Sequence, residues 1–276
     1  MKKFNRFFTV LMFIFLYAPM AVLIVASFNT GKDITQFEGF TFRQYIRLFQ
    51  DNTLLALLGN SILVAILSSL IATAFGTVAA LGINALSPKM RKLAMTLTDI
   101  PMTNPDIVTG VSLSLLFIFV GSNLLGQKES LTFWTLLIAH ITFSLPYVIL
   151  NVMPKLKQMD SSLTDAAMDL GCTPLQSFFK VTLPEIMPGI LAGGIMAMIM
   201  CFNNFVMQYY LIPIGVQTLP TLVFTRIRSG YQADLNALSA IIVLVSVAVV
   251  IVLSKLGFSA GGLFGMSSGS NLKKGE

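Results

Sequence analysis

Charge is scarce in this chain. Asp, Glu, Lys and Arg make up 11% of its 276 residues, against about 25% in soluble domains, which excludes a globule solvated by water alone. Cysteine is nearly absent: Cys172 lies in a polar stretch and Cys201 in an apolar one, so neither a disulfide framework nor a CxxC site is supported. The single histidine, His140, has no histidine or cysteine near it in sequence. Metal sites need several ligands, so the expectation is a hydrogen-bonded packing histidine and no metal. No Walker-type phosphate loop occurs, so any ATP hydrolysis belongs to another chain, and no cofactor is implied in this one. No acid/base constellation falls within the apolar segments, which argues against an intramembrane enzyme and leaves no catalytic residue to name. Basic residues do not interleave with aromatics into a nucleic-acid surface; the net charge of +6 is read instead through membrane topology.

Apolar runs are what the chain has in abundance, with 55% hydrophobic residues. Bilayer spans need roughly 20 such residues each, and runs over 7–28, 54–84, 95–120, 131–152, 188–210 and 237–257 predict an all-α integral membrane protein with six transmembrane helices. The first run exceeds a signal-peptide core of roughly 7–15 residues and is expected to be a retained span. Twelve of the 18 Lys and Arg residues fall on the side of the N-terminus, among them Lys2, Lys3, Lys89, Arg91, Lys155 and Lys180, which orients both termini toward the cytoplasm. In the first external segment, Phe40, Phe42, Tyr45, Ile46, Leu48 and Phe49 interleave with Arg43, Gln44 and Arg47. That pattern predicts a short amphipathic helix at the interface, set against lipid or neighbouring spans. Ala72, Gly76, Ala79, Ala80 and Gly82 crowd the second run, as close helix packing requires. The Gly- and Ser-rich stretch about 258–276 reads as a flexible tail, and the whole of 1–276 as one transmembrane domain.

A polar island at about 160–187 interrupts the apolar pattern. Ser162-Leu163-Thr164-Asp165 has the form of a capping box, and Leu163, Ala166, Ala167 and Leu170 follow one helical face. Gly171 falls at a left-handed C-terminal cap, Pro174 at the first position of a second helix, Leu183-Pro184 at its end, and Pro188 at the opening of the fifth span. A helix of 8–9 residues is about 13 Å long and too short to stand alone in water. Its apolar face docks either on this chain's own span ends or in a groove of a cytoplasmic partner.

Within the spans, polar groups are costly and become pathway candidates. Asn203-Asn204 in the fifth run stands out, with interhelical hydrogen bonding as the structural alternative. Asp106, near Pro101 and Pro105, is read as a cap for a resumed helix and only secondarily as a pathway residue. Tyr209 and Tyr210 fit an interfacial belt.

The island's spacing, Asp165-Ala166-Ala167, Gly171, Val181 and Leu183-Pro184, resembles the EAA motif of permease subunits of ABC importers, with Asp165 for the usual Glu and Val181 for the usual Ile. Pro105-Asp106-Ile107-Val108, Gly110-Val111-Ser112-Leu113, His140 to Tyr147 and Asn236-Ala237-Leu238 resemble the spermidine/putrescine (PotC-type) permeases. The resemblance implies a type I ABC importer permease fold in the bacterial cytoplasmic membrane, with a coupling helix formed by Leu163, Asp165, Ala166, Ala167, Met168, Gly171, Pro174 and Pro184 and seated in a cleft of an ATPase subunit. It implies a heterodimer with a second permease, two ATPase copies, an extracytoplasmic binding protein and a polyamine substrate. It also implies a pathway and outer gate that include Asn203, Asn204, Phe224 and Arg228. Where polyamine permeases tend to carry acids, this chain has the two amides. Arg226 and Arg228 either serve the gate or pair with acids on a binding protein or partner permease. Alternatives are the same machine for another small solute, or a stand-alone secondary transporter, which would require an ion-coupling site or inverted repeats and leaves the island unexplained.

Overall fold

Proline and short capping side chains punctuate a chain whose apolar runs would otherwise form uninterrupted helix. The computed structural model describes residues 2–31, 36–124, 126, 130–160, 162–212, 218–228 and 235–244. Its helices are α1 (Lys2–Ala26), α2 (Arg43–Gln50), α3 (Asn52–Ala85), α4 (Pro88–Thr103), α5 (Asp106–Phe119), α6 (Phe133–Gln158), α7 (Ser162–Asp169), α8 (Pro174–Ser177), α9 (Leu183–Asn203), α10 (Phe205–Leu211) and α11 (Leu219–Arg228). A last helix, α12, is described over Leu235–Leu244. Five helical stretches among the described residues are long and apolar enough to cross a bilayer: Arg6–Ala26, Asn52–Ala85, Asp106–Leu124, Phe133–Gln158 and Pro174–Phe202. Most of the expected sixth span, and the tail, lie outside the described residues.

Three boundaries depart from the sequence expectation. The run 95–120 is two helices, because Pro105 has no N–H to continue the ladder and forces the preceding Asn104 into an extended conformation (φ −74°, ψ 142°). Leu183-Pro184 ends nothing. The chain passes from α8 through a π-helical turn at Phe178–Thr182 straight into α9; the wider turn lets the Leu183 N–H reach Phe178 O, five residues back, where a proline follows. Pro188 consequently lies inside α9 rather than at its start. The run 188–210, finally, breaks at Asn204.

The described residues form two compact units, one from 2–58 with 221–244 and the other from 59–220. In the first, α1 leaves its side chains from Phe7 to Val22 exposed, as a lipid- or partner-facing helix does. The segment after α1 is pinned by Asn29, whose Nδ2 donates to Gln36 O (2.7 Å) and whose Oδ1 accepts from the N–H groups of Gly31 and Glu38. Phe28 stacks on Phe40 and meets Tyr45, with centroids at 5.0 and 5.2 Å. The expected amphipathic helix is α2: Gln44 and Leu48 are buried while Ile46 and Phe49 are exposed.

In the second unit, α3, α6 and α9 pack through small residues. A side chain at Gly76 would come within 2.7 Å of Val148 Cβ, and one at Gly193 within 3.0 Å of Val148 Cα, so Val148 is clasped between two glycines at van der Waals contact. Ala80, Val152, Ile186 and Ala197 are fully buried around it. A second cluster joins Val64, Leu136, Ala139, Phe143, Met207 and Leu211, where α10 meets α5 and α6.

Candidate functional site

The island folds as a short helix closed at both ends. Asp160, not Ser162, provides the N-terminal cap: the Ser162 N–H donates to Asp160 Oδ1 (3.0 Å) and the Leu163 N–H to Asp160 O (3.2 Å). Ser162 is already the first residue of α7, which is why its hydroxyl does not fill the capping role expected of it. Hydrogen bonds from the Ser162 backbone and side chain hold the Asp160 carboxyl below the usual carboxylate range. At the other end Gly171 has φ +90°. The Cys172 N–H reaches Ala167 O (3.0 Å) and the Gly171 N–H reaches Met168 O (2.9 Å), the paired bonds of a Schellman motif. A Cβ at Gly171 would touch nothing, so the position needs glycine for its backbone conformation alone.

α8 opens with reciprocal bonds between Thr173 and Gln176, 3.0 Å from the Thr173 N–H to Gln176 Oε1 and 3.3 Å from the Gln176 N–H to Thr173 Oγ1. The buried Ser177 hydroxyl donates to Thr164 O (3.2 Å) and fastens α7 to α8. Leu163 and Leu170 are 47% and 87% exposed, and Met168 39%; Asp165, Ala166, Pro174 and Pro184 are exposed, and Ala167 is half-buried. The apolar face of α7 is therefore not docked on the chain's own span ends.

A second polar centre surrounds the break in the fifth span. Asn204 (φ −79°, ψ 79°) interrupts the helix and its Oδ1 accepts the Met207 N–H (2.9 Å), capping α10. Its side chain is buried, and its Nδ2 has no partner among the described residues. Gln208, 1% exposed, donates from Nε2 to Cys201 O (3.1 Å) and accepts from Thr218 Oγ1 (2.5 Å). The Leu219 N–H donates to Ser61 Oγ (2.8 Å). Cys201 Sγ lies 3.1 Å from Ser68 Oγ and 3.0 Å from Ser144 Oγ, which ties α9 to α3 and α6. For Asn203 the backbone alone is described, as the last residue of α9.

α11 bears the other candidates. The Arg228 guanidinium lies 5.2 Å from the Phe224 ring centroid, within cation–π range. Arg226 Nη2 lies 3.5 Å from Asp51 Oδ2, so this arginine has a carboxylate partner in its own chain. Asp51 also caps α3 by accepting the Thr53 and Leu54 N–H groups at 2.9 and 3.3 Å. Partial burial works to raise its carboxyl, but these hydrogen bonds and Arg226 hold it below the usual range.

Asp106 occupies the first turn of α5 without capping it; Pro105 precedes the helix and its carbonyl accepts the Val108 N–H. His140 is fully buried, with Nδ1 2.9 Å from Leu136 O, the packing arrangement expected. Tyr209 is exposed and Tyr210 half-buried, their rings 5.3 Å apart. Among the described residues no three His, Cys, Asp or Glu groups converge on a metal site. Sequence reading missed Asp160, Ser177, Gln208, Thr218 and the Ser61, Ser68 and Ser144 hydroxyls. Only Gln208 had a signal, a glutamine four residues after Asn204 in an apolar run.

These broken and capped helices define an all-α membrane protein with several apolar spans. The same architecture occurs in a bacterial ABC transporter involved in import of the acidic polysaccharide alginate, at TM-score 0.70, 19% identity and coverage of 91% of this chain and 92% of that one. Residues 72–264 match the family of binding-protein-dependent transport system inner membrane components, and the chain belongs to it: a non-catalytic, multi-pass permease subunit of the inner membrane. Its relatives include the putrescine transport system permease protein PotI of Escherichia coli (strain K12), 36% identical over 232 residues, 83% of this chain and 82% of that protein. The spermidine/putrescine transport system permease protein PotC of Haemophilus influenzae is 31% identical over 249 residues, 90% of this chain and 94% of its own length.

Proposed function

We propose that the chain, acting as one permease domain with both termini cytoplasmic, forms half of a pathway that imports polyamines under ATP drive. The observation that carries the coupling half of this reading is α7: a helix capped at both ends, fastened by Ser177, with Leu163, Ala166, Met168 and Leu170 presented outward. A short apolar face on a rigid helix fits a groove in an ATPase subunit, and a rigid body transmits displacement better than a loop. Leu163, Asp165, Ala166, Ala167 and Met168 make the contact, Gly171 and Pro174 hold the shape, and Pro184 lies where the π-helical turn hands on to α9. The partners are a second permease, two ATPase subunits and an extracytoplasmic binding protein.

Polyamines are favoured by the names of the relatives at 36% and 31% identity; the fold itself also serves alginate in another transporter and does not choose. In this reading Asn203 and Asn204 belong to the pathway, and Phe224 with Arg228 forms an outer gate. The amides in place of acids favour a second reading, the same machine moving an uncharged solute. Proteoliposomes holding the full complex and its binding protein separate the two: saturable, ATP-dependent uptake of labelled putrescine, competed by spermidine but not by neutral solutes, is expected. Uptake of a neutral solute with no amine uptake would transfer the function to the second reading.

A further inference from the structure

The break in the fifth span is held by one side chain that was not among the candidates, and its bonds connect two mechanical parts. The helix ladder ends at Asn204, whose N–H reaches Met200 O (3.1 Å), so Cys201 O lies beyond its last bond, and a carbonyl left unsatisfied inside a membrane protein is expensive. Gln208 Nε2 takes that carbonyl at 3.1 Å. The other end of the same amide accepts the hydroxyl of Thr218 at 2.5 Å, the residue immediately before α11, and the Leu219 N–H that opens α11 is held by Ser61 of α3. Gln208 is 1% exposed, and Thr218 fully buried. Both atoms of the Gln208 amide are thus committed, one to the end of α9 and one to the start of α11.

We infer that Gln208 is a positioning residue: a latch that makes the start of α11, the helix bearing Phe224 and Arg228, follow the end of α9. From Pro174 to Phe202 the chain is one helical stretch, and its first turn is fastened to α7 through Ser177 and Thr164. A displacement of α7 therefore arrives at the break, where Asn204 allows bending and Gln208 decides what moves with it. The amide suits the task because it donates and accepts at once; glutamate would set a carboxylate against the Cys201 carbonyl, and leucine would remove both bonds. The inference rests on the proposed ATP-driven transport and adds to it the residue that links drive to gate.

The test uses the complete complex in proteoliposomes, with labelled putrescine uptake and ATP hydrolysis measured in the same vesicles. Thr218→Val removes the hydroxyl for a methyl of similar size, and Gln208→Leu removes both bonds. Each is expected to assemble with the ATPase subunits and hydrolyse ATP, while putrescine moved per ATP falls roughly tenfold, the scale of one unsatisfied buried polar group. Thr218→Ser keeps the hydroxyl and is expected to restore the ratio. Wild-type putrescine per ATP in Thr218→Val, or uptake and hydrolysis falling in parallel, would overturn the latch, as would Thr218→Ser behaving like Thr218→Val. If Gln208→Leu fails to assemble, the Thr218 pair decides alone. Wild-type vesicles with no ATP-dependent amine uptake would instead refute the transport reading.

Discussion

Gly171 separates backbone need from packing need. Its φ of +90° costs an ordinary L-residue roughly 1–2 kcal/mol, yet a side chain there would meet open space. Gly171→Val is therefore expected to leave the chain in the membrane while abolishing ATP-driven uptake, and Gly171→Asn to keep part of it, since asparagine tolerates the left-handed region. Normal uptake by the valine variant, with membrane levels checked by immunoblot, would refute the coupling role. Asn204 admits a similar separation. Its Oδ1 is committed to the Met207 N–H, so Asn204→Ala loses a cap worth about 0.5–2 kcal/mol while Asn204→Ser retains one. Transport restored by serine assigns the residue to the helix break; transport lost in both variants assigns the amide to the substrate. At Asp160 the carboxyl is depressed in the folded chain by the Ser162 hydrogen bonds. Its stabilisation of α7 is complete above the ordinary carboxylate pKa and is lost as pH falls through the lower folded value. Amide exchange in the first turn of α7, corrected for intrinsic rates, should stay flat from neutral pH down to about 5 and rise below about 4.

At the scale of elements, α7 and its fastening act as one piece. Ser177→Ala removes the bond to Thr164 O, and faster amide exchange over Ser162–Asp169 with unchanged exchange in α9 is the expected result; unchanged exchange in α7 would mean that packing alone holds it. The ends of α7 and the start of α8 were legible in sequence because capping is local chemistry: Gly171 and Thr173-Pro174 each occupy the position their residue types demand. The acceptor at the N-terminus was misassigned by two residues because Asp160 and Ser162 both fit a cap locally, and only the three-dimensional path of the chain chooses between them. Leu183-Pro184 read as a stop, since proline usually ends a helix, and only tertiary packing supports the π-helical turn that carries the chain past it. The break at Asn204 was equally hidden, because an asparagine in an apolar run signals polarity and not conformation. Ser68, Ser144 and Cys201 come together from positions far apart in sequence, and no local pattern foretells that meeting.

For the whole molecule the open quantity is orientation, and the two cysteines are natural reporters of it. Cys172 sits half-exposed beside the end of α7, and Cys201 is buried between Ser68 and Ser144. If the basic residues place the 160–187 loop in the cytoplasm, a membrane-impermeant maleimide labels Cys172 in inverted vesicles and leaves it untouched in right-side-out ones. Cys201 should resist labelling in both, because its burial blocks reagent access. If α7 docks on the ATPase subunits as proposed, adding them should slow Cys172 labelling, since the exposed face of α7 begins within a few residues of it. Labelling from the outside would reverse the topology and remove the coupling helix from the only compartment that supplies ATP. Cytoplasmic labelling that the ATPase leaves unchanged would keep the topology and move the docking surface off α7.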